Sequence, residues 1–318
     1  MAYSKPYLPV TDQLALIKGR GMLVSDDALA QAYLNKIGYY GLSGYWYPYR
    51  KSKQVGGQIV VEDRFRDNTK FSEIVDLYVF DKKLRLLMLD IIERIEIALR
   101  VQITLQLGQY GPLAHRNSSS LHPNFSTRPN HKTGEIEHDK WLHRHDEAFQ
   151  RSREEFAKHF KTKYSGEHPP IWIAAELWDF GATSFLYSGM KKPDQEAVAK
   201  VFGVASWEVM TSWLHHINVA RNICAHHSRF WNKPNTARPV WPTAADCPDL
   251  GHIESDTKAK ARVYGLACLS AYLLRSINPN SEWTKRFKTV VTSFPKSSTV
   301  NLKAAGFPDD WEKANLWS

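Results

Sequence analysis

Apolar residues recur at three- and four-residue spacing through most of the chain, which predicts an all-α protein. The longest such pattern runs from Ser72 to Leu107. Leu77, Phe80, Leu84, Leu87, Met88, Ile91, Ile95, Ala98, Leu99 and Gln102 keep the helical period in it, and Gly108 and Gly111-Pro112 end it. Before it, residues 10–50 predict two short helices. Thr11 or Asp12 can cap the first, which Gly19 and Gly21 stop, and Ser25 or Asp26 can cap the second. Residues 51–68 hold the one strand-like signal: Gly56-Gly57 followed by Ile59, Val60 and Val61 reads as a hairpin or loop. After the long helix come a polar, His-rich loop over 113–138 and a helix from Asp139 to Phe160. A helix opened by Pro169-Pro170 and broken by Gly181 follows, then a short one from Asp194 to Phe202. Ser206 can cap the next helix; a Pro-rich connection fills 232–256, and helices over 257–277 and 281–291 close the pattern. The implied division is an N-terminal lobe (1–68), a helical bundle (69–292) and a C-terminal tail (293–318).

The helix after Ser206 carries the most informative residues. At about 100° per residue, Met210, Trp213, Leu214, Ile217 and Cys224 form one apolar stripe, and Arg221 falls inside it. A lone guanidinium there needs an anionic partner, either within the protein or on something it binds. Asn222 and His226 are four apart and share a face. Arg221 and His226 are five apart, about 140° round and roughly 7.5 Å along the axis, so one regular helix points them at different places. They converge on one phosphate if the helix ends there, or if two copies face each other. Asn232 and Pro234 are plausible stop signals downstream.

Charge strengthens the case for an anionic partner. The 318 residues include 42 Lys and Arg against 33 Asp and Glu, a net +9, which favours RNA, DNA or a membrane surface. Six aromatics between Gly38 and Lys51, Tyr45 and Trp46 among them, sit beside the cations Arg50 and Lys51, a combination able to stack single-stranded bases. The plainer reading is that they pack the lobe's core. Arg151, Arg153 and Lys158, with Lys161 and Lys163, make another basic stretch, either an RNA-tracking stripe or a solvated helix end. On the long helix Glu93, Glu96 and Arg100 lie together, with Glu96 and Arg100 spaced for an ion pair. They form a solvated face, or a glutamate there neutralises Arg221.

Other classes find less support. Three cysteines, Cys224, Cys247 and Cys268, form no pattern, which fits a reducing compartment and no disulfide framework. The start of the chain has no apolar leader, and Val263 to Leu274 is too short to span a bilayer. A cytoplasmic protein without a membrane partner is expected. His115, His122, His131 and His138 offer no compact ligand pair for zinc. His215, His216, Cys224, His226 and His227 include no His pair at the four-residue spacing that puts two ligands on one face, so no metal or cofactor is expected.

Arg221-Asn222-x-x-x-His226 at the end of an amphipathic helix resembles the signature of HEPN ribonucleases. The longer string Arg221-Asn222-x-Cys224-Ala225-His226-His227-Ser228-Arg229-x-Trp231-Asn232 looks like their Abi (abortive infection) branch. Lys5-Pro6 with Gly38-Tyr39-Tyr40, then Phe80-Asp81-x-x-Leu84-Arg85 with the run Ile92 to Arg100, and Pro170-Ile171-Trp172 to Phe180-Gly181 are similar to the same family. The resemblance implies a HEPN-type helical bundle with a small N-terminal lobe. It further implies a metal-independent endoribonuclease toxin of bacterial phage defence that leaves 2′,3′-cyclic phosphate and 5′-OH ends. Arg221, Asn222 and His226 would be catalytic, with His227 or Glu96 in support and Arg100 near the RNA. With one copy of the motif, a homodimer is expected, and an RNA or protein antitoxin is a candidate partner. The alternative is a non-catalytic RNA-binding module that grips a small structured RNA with the same residues.

Overall fold

The computed structural model, which describes residues 6–317, is helical apart from one hairpin. The N-terminal lobe holds α1 (Val10–Gly19), α2 (Asp27–Ile37) and α3 (Tyr39–Trp46), followed by β1 (Arg50–Val55) and β2 (Gln58–Phe65). The strands pair antiparallel around Gly56-Gly57, both at positive φ, as a tight turn requires. Asp26 caps α2 by accepting from the Leu29 amide, whereas α1 begins at Val10 behind Pro9 with no side-chain cap, so Thr11 and Asp12 lie inside it. The aromatic segment is helical in α3.

Then come α4 (Phe71–Gly108), α5 (Pro123–Ser126), α6 (Glu137–Arg151), α7 (Glu155–Lys163) and α8 (Ile171–Ala174). They are followed by α9 (Phe180–Gly189), α10 (Lys192–Val201), α11 (Trp207–Ala225), α12 (Thr257–Lys260), α13 (Val263–Ile277) and α14 (Trp283–Thr292). The 38-residue α4 is the element around which the rest packs, touching α3, α8, α9, α10, α11, α13 and α14. Its buried face (Leu77, Leu84, Met88, Ile91, Ile95, Leu99, Ile103) follows the predicted period. One core runs from Leu14 to Trp317, so Val300, Phe307, Trp311, Leu316 and Trp317 of the segment after 292 are packed into it.

Three expected helices divide differently. The helix expected over 139–160 is interrupted at Ser152, where Lys161 donates to the carbonyls of Phe149, Gln150 and Ser152. Gly181 does not break a helix. The break is at Trp178-Asp179, where Asp179 caps α9 through the Ala182 amide, and Gly181 lies in α9's first turn. A Cβ on Gly181 would lie 3.3 Å from the Asp179 carboxylate and 3.7 Å from the Asn218 side chain, so glycine lets α9 start against α11. The last long helix is split at Ala261-Arg262. Among the described residues no helix is long and apolar enough to cross a membrane.

The His-rich segment is pinned down. The Arg116 guanidinium grips Asp146 at 2.6 and 2.9 Å, and His138 Nε2 sits 2.8 Å from the His115 carbonyl oxygen. His115 and His145 are buried beside Trp141 and Trp178, and His216 is buried in α11. Burial pulls their imidazoles down from 6.5, to about 3 for His115 and about 4 for His145 and His216. The unfolded chain therefore takes up protons below about pH 6.5 that the folded chain refuses, so stability is complete above that pH and falls as pH drops towards the folded values. At pH 5 each histidine costs about 2 kcal/mol. The melting temperature is expected to fall by about 10 °C or more between pH 7 and pH 5. A flat thermal profile over that range would contradict this burial.

Candidate active site at the end of α11

Ser206 caps α11 by accepting from the Val209 amide at 3.3 Å, and Met210, Trp213, Leu214, Ile217 and Cys224 form its buried stripe, with His216 and Ala220. The segment 235–240 straps the helix: Trp213 Nε1 donates to the Val240 carbonyl at 2.7 Å, and His216 Nδ1 meets that of Ala237 at 2.7 Å. Arg221 follows the stripe's direction yet ends half-exposed at its border. Among the described residues no carboxylate comes within 4.0 Å of its guanidinium, and its one hydrogen bond is Nη1 to Asn222 Oδ1, at 3.2 Å. Asn222 therefore holds Arg221, rather than His226 as its spacing suggested.

The helix stops at the motif. His226 is its last half-helical residue, its amide donating to the Asn222 carbonyl. His227 has φ 56°, and its amide donates to the Cys224 carbonyl at 3.1 Å, while Ser228 donates back to Ile223 at 3.1 Å. This pair of bonds is a Schellman termination with histidine where glycine usually stands. Both imidazoles are exposed and, among the described residues, make no hydrogen bond or ion pair. A left-handed non-glycine residue costs about 1–2 kcal/mol. His227→Gly is thus expected to raise stability by about 1 kcal/mol in denaturant unfolding, and lower stability would contradict the assignment.

A buried carboxylate fixes residues 228–231, just beyond the motif. Asp81 of α4, fully buried, accepts from the Phe230 amide at 3.0 Å, the Trp231 amide at 2.8 Å, Tyr45 Oη at 2.7 Å and Arg85 Nη1 at 2.6 Å. Arg85 also reaches the Ser228 carbonyl at 3.4 Å, and Arg229 donates to the Gly44 carbonyl. Two strings far apart in the chain, Phe80-Asp81-x-x-Leu84-Arg85 and Ser228-Arg229-x-Trp231, are thereby two halves of one network. Sequence reasoning assigned Asp81 no role. The signal was present: a carboxylate in the buried period Leu77, Asp81, Leu84, Met88, four residues before an arginine.

Glu96 and Arg100 lie on α4 near the same end of α11. Arg100 donates to Glu96 Oε1 at 3.0 Å and to the Trp178 carbonyl at 2.8 Å, with Glu176 at 3.7 Å. Burial raises the Glu96 carboxyl above the usual range, against the pull of Arg100 and, next, of Arg221. Glu96 is therefore within the electrostatic reach of Arg221, while Arg100 is committed to protein contacts.

The other proposed binding residues divide by exposure. Tyr45 and Trp46 are buried, at 3% and 0%, and offer no face to a base. Their burial corrects the stacking expectation: Tyr45 serves Asp81, and Trp46 packs against Tyr39 and Phe65. Arg50 pairs with Asp63 of its own hairpin at 3.2 Å and Lys51 with Asp67 just past β2 at 2.8 Å. Arg151, Arg153 and Lys158 are exposed, and Arg151 reaches Glu147 at 3.5 Å. Among the residues weighed as metal ligands, burial pushes the Cys224 thiol up to about 12, and His216 is held by Ala237. Among the described residues no three His, Cys, Asp or Glu side chains converge as a metal site would require.

The sequence profile of the family described as Abi-like protein matches residues 32–232, more than half of the chain and inclusive of the Asp81 network, Glu96 and the whole of α11. No curated protein and no solved structure matches.

Proposed function

The chain belongs to the Abi-like protein family, and from that premise we propose that it is a metal-independent endoribonuclease of HEPN type acting in abortive-infection defence in the cytoplasm. The observation that carries the reading is a guanidinium that, among the described residues, has no ion pair, beside two imidazoles with no side-chain partner among them, at the fixed end of α11. The ribose 2′-oxygen attacks the adjacent phosphorus as His226 takes its proton. The bond from phosphorus to the 5′-oxygen breaks, and that oxygen is protonated by an imidazolium. The products are a 2′,3′-cyclic phosphate and a 5′-OH. Arg221 neutralises the charge that develops on the phosphoryl oxygens, and Asn222 fixes its guanidinium. Glu96 restrains Arg221 from the protein side.

A second copy would supply the second imidazole. Ile97, Val101 and Leu105, four apart on α4 and about half-exposed or more, form an apolar stripe beside Glu96 and Arg100, and a symmetric dimer across it would bring two motifs together. An RNA or protein antitoxin covering the exposed end of α11 would hold the toxin silent. The test is incubation of a mixed RNA pool with the purified protein in EDTA. Fragmentation is the expected result. Tight RNA binding without fragmentation would replace this reading with that of a non-catalytic RNA-binding module, and fragmentation abolished by EDTA would overturn the mechanism.

A further inference from the structure

A cavity of about 720 Å³ lies between α6, α9 and α11, within the roughly 300–1,000 Å³ range of small-molecule sites. Its α11 wall is Thr211, His215 and Asn218, and Asn218 stands three residues before Arg221 on the same helix face. A second cavity of about 440 Å³ shares Glu137, Phe185 and Ser188 with the first and continues to Lys192. The two form one groove leading away from the motif.

Its chemistry fits a polyanion with planar groups. The Arg144 guanidinium on the wall is exposed and has no partner among the described residues; the wall also carries Glu137, which accepts from Asn130, and Asp179, which accepts from the Ala182 amide. Phe185, at 40% exposure, stands where the cavities meet and offers a ring face.

We propose that this groove seats single-stranded RNA next to the scissile phosphate, with one nucleotide in the larger cavity, Phe185 stacked on a base and Arg144 on the backbone phosphate. The proposal rests on the ribonuclease reading for which phosphate Arg221 holds, but the groove's binding is measured without cleavage. A fluorescein-labelled, fully 2′-O-methylated hexanucleotide lacks the nucleophile and reports binding alone by anisotropy. Arg144→Glu is expected to weaken it about tenfold or more, and Phe185→Ala about fivefold or more. Ser184→Trp fills the larger cavity and is expected to abolish binding. Arg144 is exposed, so Arg144→Glu tests the groove even if Ser184→Trp fails to fold. Unchanged affinity in Arg144→Glu and Phe185→Ala, with wild-type protein still cutting ordinary RNA, overturns the groove and leaves the nuclease standing. Affinity lost in the variants, with no cutting by wild type, overturns the nuclease and leaves the groove as an RNA site. No binding by wild type overturns the groove.

Discussion

Asp81→Ala is expected to cost about 3–5 kcal/mol of stability, because it leaves the buried Arg85 guanidinium without its counter-charge. The Phe230 and Trp231 amides would lose their acceptor as well, at about 1–3 kcal/mol for each that water cannot reach. Denaturant unfolding measures the loss, and a change below about 1 kcal/mol would contradict the network's role. The double variant Asp81→Leu with Arg85→Met removes both charges and is expected to recover much of the stability. It would not restore the two amide acceptors that fix residues 230 and 231 just beyond His227. RNA cleavage should therefore stay low in the double variant even where the fold is regained. That split separates the network's positioning of the motif from its contribution to the core.

The second large effect is on chemistry alone. Arg221→Ala and His226→Ala are each expected to lower the cleavage rate by about 10²–10⁴. Both side chains lie at the surface with little to hold, so stability should change by less than about 0.5 kcal/mol. Glu96→Gln is expected to have a smaller effect, because it removes the charge that restrains Arg221 while preserving shape and hydrogen bonding. A His226→Ala protein that unfolds at lower temperature would turn the motif into a structural feature. One that keeps full activity would pass the role to His227.

The long helix, the hairpin and the cap of α11 were legible in the sequence because each rests on local physics: a sustained helical period, a Gly-Gly turn and a serine before an apolar stripe. The motif residues were legible as types and spacing. Their geometry was not, since it depends on His227 entering a conformation that histidine rarely takes, imposed by the anchoring of residues 228–231 on Asp81. Trp46 read equally well as a base platform or as core, and the packing of α3 against α4 decided for core. Gly181 read as a helix stop because glycine usually is one, while its use here is close contact with Asn218. The groove could not be read at all: its walls come from three helices far apart in the chain, which meet only through long-range packing.

The most direct test of the central claim is the end chemistry of RNA cut by wild-type protein in EDTA. The mechanism predicts fragments with 2′,3′-cyclic phosphate and 5′-OH ends, absent when Arg221→Ala or His226→Ala replaces wild type. Fragments with 5′-phosphate and 3′-OH ends would mean that water or another external nucleophile attacks, and would contradict the assignment of the 2′-oxygen and His226.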